Sequence, residues 1–295
     1  MKAVLDPVAV SRLQNHKLRA RLVVEGFLAG SHRSPYKGHS TDFADFRKYT
    51  RGDDPRHIDW RMFAKADRHY IREYEDQTSM SVWLAVDTSE SMGYRSGAVS
   101  KLEYASYLAA SLAYLVMKQQ DNAGLVTFGD RLRRFFPPRR GPAHLNLLLE
   151  ELEELRPEGL TRCAAALDEI GGRLRKRGLV VLLSDLLDEP RAVLASLKVL
   201  RGMKNEVIVF HVLDRDEIEF PFAQRMDFED VETGQRLELD CEVIRREYQE
   251  RVRRFTGFFG DECPRADIDY VTANTSQPFH ELLSRFLLKR SEVRR

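Results

Sequence analysis

Residues 81–93 read SVWLAVDTSESMG, and the change of character at Asp87 decides the fold. Val82 to Val86 form an unbroken apolar run instead of alternating apolar with polar. A strand of that kind is covered on both faces, as in a parallel sheet flanked by helices. Asp87 ends the run, and Thr88, Ser89, Glu90 and Ser91 then crowd oxygen-bearing side chains into one short loop. Ligands of open parallel sheets bind at the carboxyl ends of strands, near the point where the strand order reverses. A carboxylate and two hydroxyls at alternating positions, Asp87, Ser89 and Ser91, can turn three oxygens inward there. Such a half-shell suits a hard cation such as Mg²⁺, which takes octahedral oxygen ligands at about 2.0–2.1 Å and usually keeps some water.

Three further segments share the apolar run: residues 122–128 (NAGLVTF), 179–185 (LVVLLSD) and 206–213 (EVIVFHVL). A shorter one, residues 268–272 (IDYVT), completes the sheet. Between them, apolar residues recur at steps of three and four, which is helical spacing. Leu102, Leu108, Leu112 and Val116 mark one helix, and Leu145, Leu148, Leu149 and Leu152 a second. Leu167, Ile170 and Leu174 follow, then Val193, Leu197 and Leu200 after Pro190, and finally Phe279, Leu283 and Phe286 after Pro278. Strands alternating with helices predict an α/β fold with a doubly wound, mostly parallel sheet. Residues 131–136 (RLRRFF) break the alternation. They follow Gly129-Asp130 at hairpin distance and read as an antiparallel edge strand.

This α/β part spans residues 79–295. Residues 1–78 hold no long helix after about Phe27, carry turn signals, and are expected to form a β-rich layer on the main domain. Residues 214–240 read as a β-hairpin insertion with Phe220, Phe222 and Phe228 at its core and a turn at Thr233-Gly234.

Composition narrows the function. The chain has 295 residues with formal net charge +1, and its first 78 residues hold fifteen Lys and Arg against eleven Asp and Glu. Such a balance gives little pull on nucleic acid or anionic lipid. Three cysteines without metal-ligand spacing fit a reducing compartment. No apolar stretch reaches the roughly 18 residues of a membrane span, and the N-terminus lacks a signal-peptide pattern, so a cytoplasmic protein is expected.

Two more oxygens belong with the first three. Asp185 ends another buried strand at the same edge, and Thr161 opens the helix that begins near Cys163. The D-x-S-x-S of Asp87, Ser89 and Ser91 resembles the metal-ion-dependent adhesion site of von Willebrand factor A domains. There a threonine and an aspartate from two later loops complete the site, and Thr161 and Asp185 match by order and context. The resemblance implies bound Mg²⁺, or alternatively Mn²⁺ or Ca²⁺, whose last ligand is a partner's carboxylate. Upstream, residues 32–38 (HRSPYKG), 42–47 (DFADFR) and 52–60 (GDDPRHIDW) resemble the bacterial domain-of-unknown-function family 58. Its members join this block to an A-type domain and tend to be encoded beside MoxR-type AAA+ ATPases. That implies a protein-binding adaptor of such an ATPase.

Other readings compete. Ser and Asp also cap helices, and the triplet alone does not separate capping from metal binding; Thr161 and Asp185 favour the metal. Asp53, Asp54, Arg56, Asp59 and Trp60 read as a structural knot of caps and ion pairs. His57 and His211 have no ligand-spaced companions, and His211 reads as a core or hydrogen-bonded residue. A metal-dependent hydrolase or phosphotransferase is the alternative function. Haloacid-dehalogenase phosphatases place a second aspartate where this chain has Ser89, so the general acid is missing. No phosphate-binding glycine motif is present, and no catalytic residue is assigned.

Overall fold

The computed structural model describes residue 24 and residues 45–48, 70–73, 79–174, 177–229 and 235–293. The expected features at Asp53 to Trp60 and at Thr233-Gly234 lie outside these residues. The chain divides into two compact units, Met1–Arg33 with Met80–Arg295, and Ser34–Ser79. In the second, β1 (Asp45–Lys48) pairs antiparallel with β2 (Tyr70–Glu73).

The larger unit alternates strand and helix. Its elements run β3 (Ser81–Asp87), a 3-10 turn (Glu90–Gly93), α1 (Lys101–Lys118), β4 (Asn122–Phe128), β5 (Leu132–Arg139), α2 (Pro142–Glu154) and α3 (Cys163–Arg173). Then come β6 (Leu179–Ser184), α4 (Pro190–Gly202), β7 (Glu206–Leu213), α5 (Arg215–Glu219), β8 (Arg225–Glu229), β9 (Arg236–Asp240), α6 (Cys241–Arg265), β10 (Asp269–Asn274) and α7 (Phe279–Val293). Among the described residues the main sheet has the order β10-β7-β6-β3-β4-β5, with β5 the antiparallel edge strand.

Side-chain alternation along the strands builds two cores. Val82, Leu84 and Val86 of β3 face α1, α2 and α7, packing with Leu108, Leu148 and Phe286. Trp83 and Ala85 face the other way, toward α3, α4 and α6, with Leu167, Leu197 and Phe259. Successive strand residues point to opposite faces, and here both faces are buried. That is the cause of the continuous apolar runs, since burying each large aliphatic side chain is worth about 1.5–3 kcal/mol.

Other segments needed tertiary help. α6 is a 25-residue helix that apolar periodicity does not announce, because among its residues only Cys241, Phe259 and Cys263 are buried. Most of its surface is solvated and charged. The 214–240 segment forms the expected hairpin through β8 and β9, but residues 215–219 are a helical turn. Asp214 caps it reciprocally with Glu217, and Phe220 ends it in the left-handed region at φ 47°. Phe220 packs on Phe222 and Phe228 as expected, and α6 adds Tyr248 at 4.5 Å between ring centroids.

The β4–β5 junction depends on a glycine. Pairing slips between Ala123 and Leu125, and a Cβ on Gly124 would lie 2.7 Å from the Phe136 carbonyl oxygen. Pro137 and Pro138, which donate no ladder hydrogen bond, are tolerated because β5 is an edge. Gly124→Ala should therefore cost about 1–3 kcal/mol, as overpacking does. The check is the urea midpoint, and an unchanged midpoint would mean that the bulge is not held open by this residue.

Candidate metal centre

The site grows from the pairing of two central strands. β3 and β6 run parallel, with Val86 opposite Leu183, so Asp87 and Ser184–Asp185 emerge side by side. From β3 the chain passes to α1 on one face of the sheet; from β6 it passes to α4 on the other. The β3–β6 boundary is therefore the switch point of the sheet, where a crevice opens.

The DTSES loop turns inward here. Asp87 is fully buried: its Oδ1 accepts from the Ser89 backbone N–H at 2.9 Å and its Oδ2 from Ser184 Oγ at 2.5 Å. Ser89 begins the 3-10 turn without a side-chain capping bond. Its Oγ lies 3.1 Å from Ser91 Oγ instead. α1 takes its cap from Ser100, in a reciprocal box with Glu103. Capping thus accounts for neither serine of the triplet.

Thr161 arrives from the segment between α2 and α3. Two backbone bonds fasten that segment to the DTSES loop, Glu158 N–H to the Thr88 carbonyl (2.8 Å) and Glu90 N–H to the Gly159 carbonyl (2.9 Å). Gly159 takes φ +71° to make the turn. Thr161 Oγ1 ends 3.3 Å from Ser91 Oγ. Asp185, also fully buried, accepts the Ser91 hydroxyl on Oδ2 at 2.8 Å. Ser91 is the hub, touching Ser89, Thr161 and Asp185. All five expected residues meet, with Asp87 joined through Ser89.

Several partners were not foreseen from sequence. Ser184 donates to Asp87 and accepts the Leu186 N–H at 2.9 Å, so it fixes the base of the crevice. Its signal was adjacency to Asp185. Lys101 Nζ lies 2.8 Å from Asp185 Oδ2 and 2.6 Å from Glu217 Oε1. Neither residue carries a motif, although Asp214 and Glu217 have capping-box spacing. His211 holds Asp185 from behind, with Nε2 2.9 Å from its carbonyl oxygen and Nδ1 2.6 Å from the Tyr270 hydroxyl. This is the hydrogen-bonded strand histidine expected.

The electrostatics follow from burial. Desolvation, then the charge of Asp185, push the Asp87 carboxyl up to about 7, against the hydrogen bonds from Ser184 and Ser89. Burial works to lower Lys101, but Asp185 and Glu217 overcome it and hold the ammonium above its ordinary value. Burial keeps His211 down at about 4 and neutral, although the nearby Asp185 pulls the other way.

The donor set fits a hard cation. In an octahedral shell at about 2.0–2.1 Å, neighbouring ligand oxygens stand about 3 Å apart. The contacts around Ser91 Oγ measure 2.8, 3.1 and 3.3 Å. Two crowded carboxylates would gain from a positive ion between them. The chemistry is hydroxyl-rich; among the described residues no group of three or more His, Cys, Asp and Glu is placed to hold a metal. Ser184→Ala would strand Asp87 Oδ2 and the Leu186 N–H, a cost of about 1–3 kcal/mol. Urea unfolding of that variant measures it, and wild-type stability would show that neither group needs the serine.

Comparison with known proteins adds context. The family described as "Protein of unknown function DUF58" matches residues 45–256. An uncharacterised protein of Mycobacterium tuberculosis is 27% identical over 233 residues, covering 78% of this chain and 73% of that one. Another, from Bacillus subtilis, is 26% identical over 117 residues, covering 40% and 27%. Among solved structures, BatB from Bacteroides thetaiotaomicron matches with TM-score 0.49 and 16% identity, covering 72% of this chain and all (100%) of that one. An aerotolerance-related membrane protein from Bacteroides fragilis matches at 0.47 and 18%, with the same coverage. The von Willebrand factor A domain of an Rpn10 protein matches at 0.40 and 10%, covering 70% and 94%. Among the described residues no helix is long and apolar enough to cross a membrane.

Proposed function

Since the chain belongs to the DUF58 family and has a von Willebrand factor A-like fold, we propose that it is a metal-dependent protein-binding module. Ser89, Ser91 and Thr161 would hold Mg²⁺ with Asp87 and Asp185, and a carboxylate of a protein partner would complete the shell. When bound, the ion supplies a positive, oxygen-seeking contact point for that carboxylate. The chain's own residues orient it: Ser184 and the Ser89 N–H aim Asp87, and His211 steadies the Asp185 backbone. The observation that carries the reading is the Ser91 hydroxyl, within 2.8–3.3 Å of oxygens from three other residues.

One feature favours binding over catalysis. Leu160, next to Thr161, and Leu187, two residues after Asp185, are 42% and 46% exposed. Exposed apolar side chains beside a polar contact point offer area that a protein partner can bury. As partner we propose an AAA+ ATPase of MoxR type, met in the cytoplasm, with this chain as its adaptor. Neither nucleic acid nor membrane is part of the proposal.

Magnesium should stabilise the wild-type chain by about 2.7 kcal/mol at a hundredfold excess over its Kd. Ser91→Ala should abolish that gain in a thermal-shift titration. Equal gains in both proteins would remove these residues from the ligand set. With a purified MoxR-type ATPase of the same organism, capture should disappear on chelation and in Leu160→Asp or Leu187→Asp. The two leucine variants should keep their magnesium response. Capture indifferent to chelator would mean that the ion does not bridge the partners.

A further inference from the structure

Lys101 is placed against two physical preferences. Its side chain is fully buried at 0% exposure, although an ammonium is costly to desolvate unless paired and hydrogen-bonded. It is also the first residue of α1, where the helix presents partial positive charge and favours anions. An apolar side chain would fill the same space without either cost, and replacing buried ion pairs by apolar groups is often neutral or stabilising.

The pairing shows what the lysine faces. Nζ contacts Asp185 Oδ2 at 2.8 Å and Glu217 Oε1 at 2.6 Å. Asp185 Oδ2 is the oxygen that also accepts the Ser91 hydroxyl, so the ammonium sits against the oxygen turned toward the hub of the metal centre. Glu217 comes from α5, at the root of the β8–β9 hairpin. Its other oxygen accepts the Asp214 N–H at 2.8 Å. Asp214 in turn accepts the Ser96 N–H at 3.1 Å and the Thr275 hydroxyl at 3.0 Å. The glutamate is therefore anchored and cannot follow the lysine.

We infer that Lys101 is a resident counter-cation of the metal centre, a positioning residue that neutralises Asp185 without the divalent ion and opposes the ion's entry. Glu217 draws the ammonium away from Asp185 and so sets how strongly it opposes. The inference rests on the metal reading above and deepens it. Like charges repel most strongly where water is excluded, so a divalent ion near Asp185 must weaken the Lys101–Asp185 pair. The two cations share one carboxylate, which makes metal binding readily reversible.

The test is calorimetric titration of the full chain with magnesium chloride, with circular dichroism confirming folding. Lys101→Met with Glu217→Gln removes both charges of the outer pair together. It should bind magnesium about tenfold tighter than wild type or better, equivalent to about 1.4 kcal/mol. Glu217→Gln alone leaves the ammonium to Asp185 and should bind severalfold more weakly. A merely structural role for Lys101 predicts weaker binding in both. Equal or weaker binding by the folded double variant overturns the inference. Unchanged or tighter binding by Glu217→Gln does so too, and if the double variant fails to fold, Lys101→Gln, which loses the charge but keeps an amide donor toward Asp185, decides: it should bind tighter, and equal or weaker binding overturns the inference. If the wild type binds and only these signs are wrong, the metal centre stands without its counter-cation. If neither the wild type nor any variant binds magnesium, both readings fall. Binding by the double variant alone would support the lysine's opposition in its strongest form.

Discussion

The arrangement depends on two carboxylates, Asp87 and Asp185, brought into one crevice by the parallel pairing of β3 and β6. Both are fully buried, and β3 pairs with β6 up to Val86 and Leu183, so neither can retreat without breaking the central ladder. Buried charge demands compensation. Around this pair the protein places Ser184 and the Ser89 N–H on Asp87, and Ser91 and Lys101 on Asp185. The hydroxyl cluster is the part of that compensation that also suits a hard cation.

Rigidity comes from the two cores rather than from the loops. Val82, Leu84 and Val86 lock β3 to one helical layer while Trp83 and Ala85 lock it to the other. A site on strand ends held this way keeps its geometry better than one on free loops. The Thr161 segment has no strand of its own at the crevice. It is held by backbone bonds through Thr88, Gly159 and, from Arg162, the Gly129 carbonyl.

Much of the architecture could be read from residue patterns because burial on both faces leaves a direct trace. The apolar runs of β3, β4, β6 and β7 were legible for that reason. The edge strand β5 was legible through the Gly129-Asp130 turn and its hairpin spacing. α6 was not, since a helix that buries three residues in 25 leaves almost no periodic signal. α5 was hidden inside a segment whose aromatic residues read correctly as hairpin core, because five residues are too few to show a period. At the site, Asp87, Ser89, Ser91, Thr161 and Asp185 were legible as oxygens at strand ends and helix starts. Ser184 lay inside the 179–185 run, and Lys101 carried no local signal.

By itself, the sequence determined the α/β class, the positions of the main strands and the five oxygen-bearing residues, since each depends on local pattern, at the end of a buried run or, for Thr161, at a helix start. Which strands lie side by side was decided only by tertiary structure. Pairing β3 with β6 brings Asp87 against Ser184 across 97 positions of sequence and Lys101 against Asp185 across 84. Distances of that kind are set by crossover connections and sheet order, and no local propensity encodes them. The physical reason is that a buried lysine is tolerable only where the fold supplies its anions, and those anions come from a strand-end loop and a helix far apart along the chain.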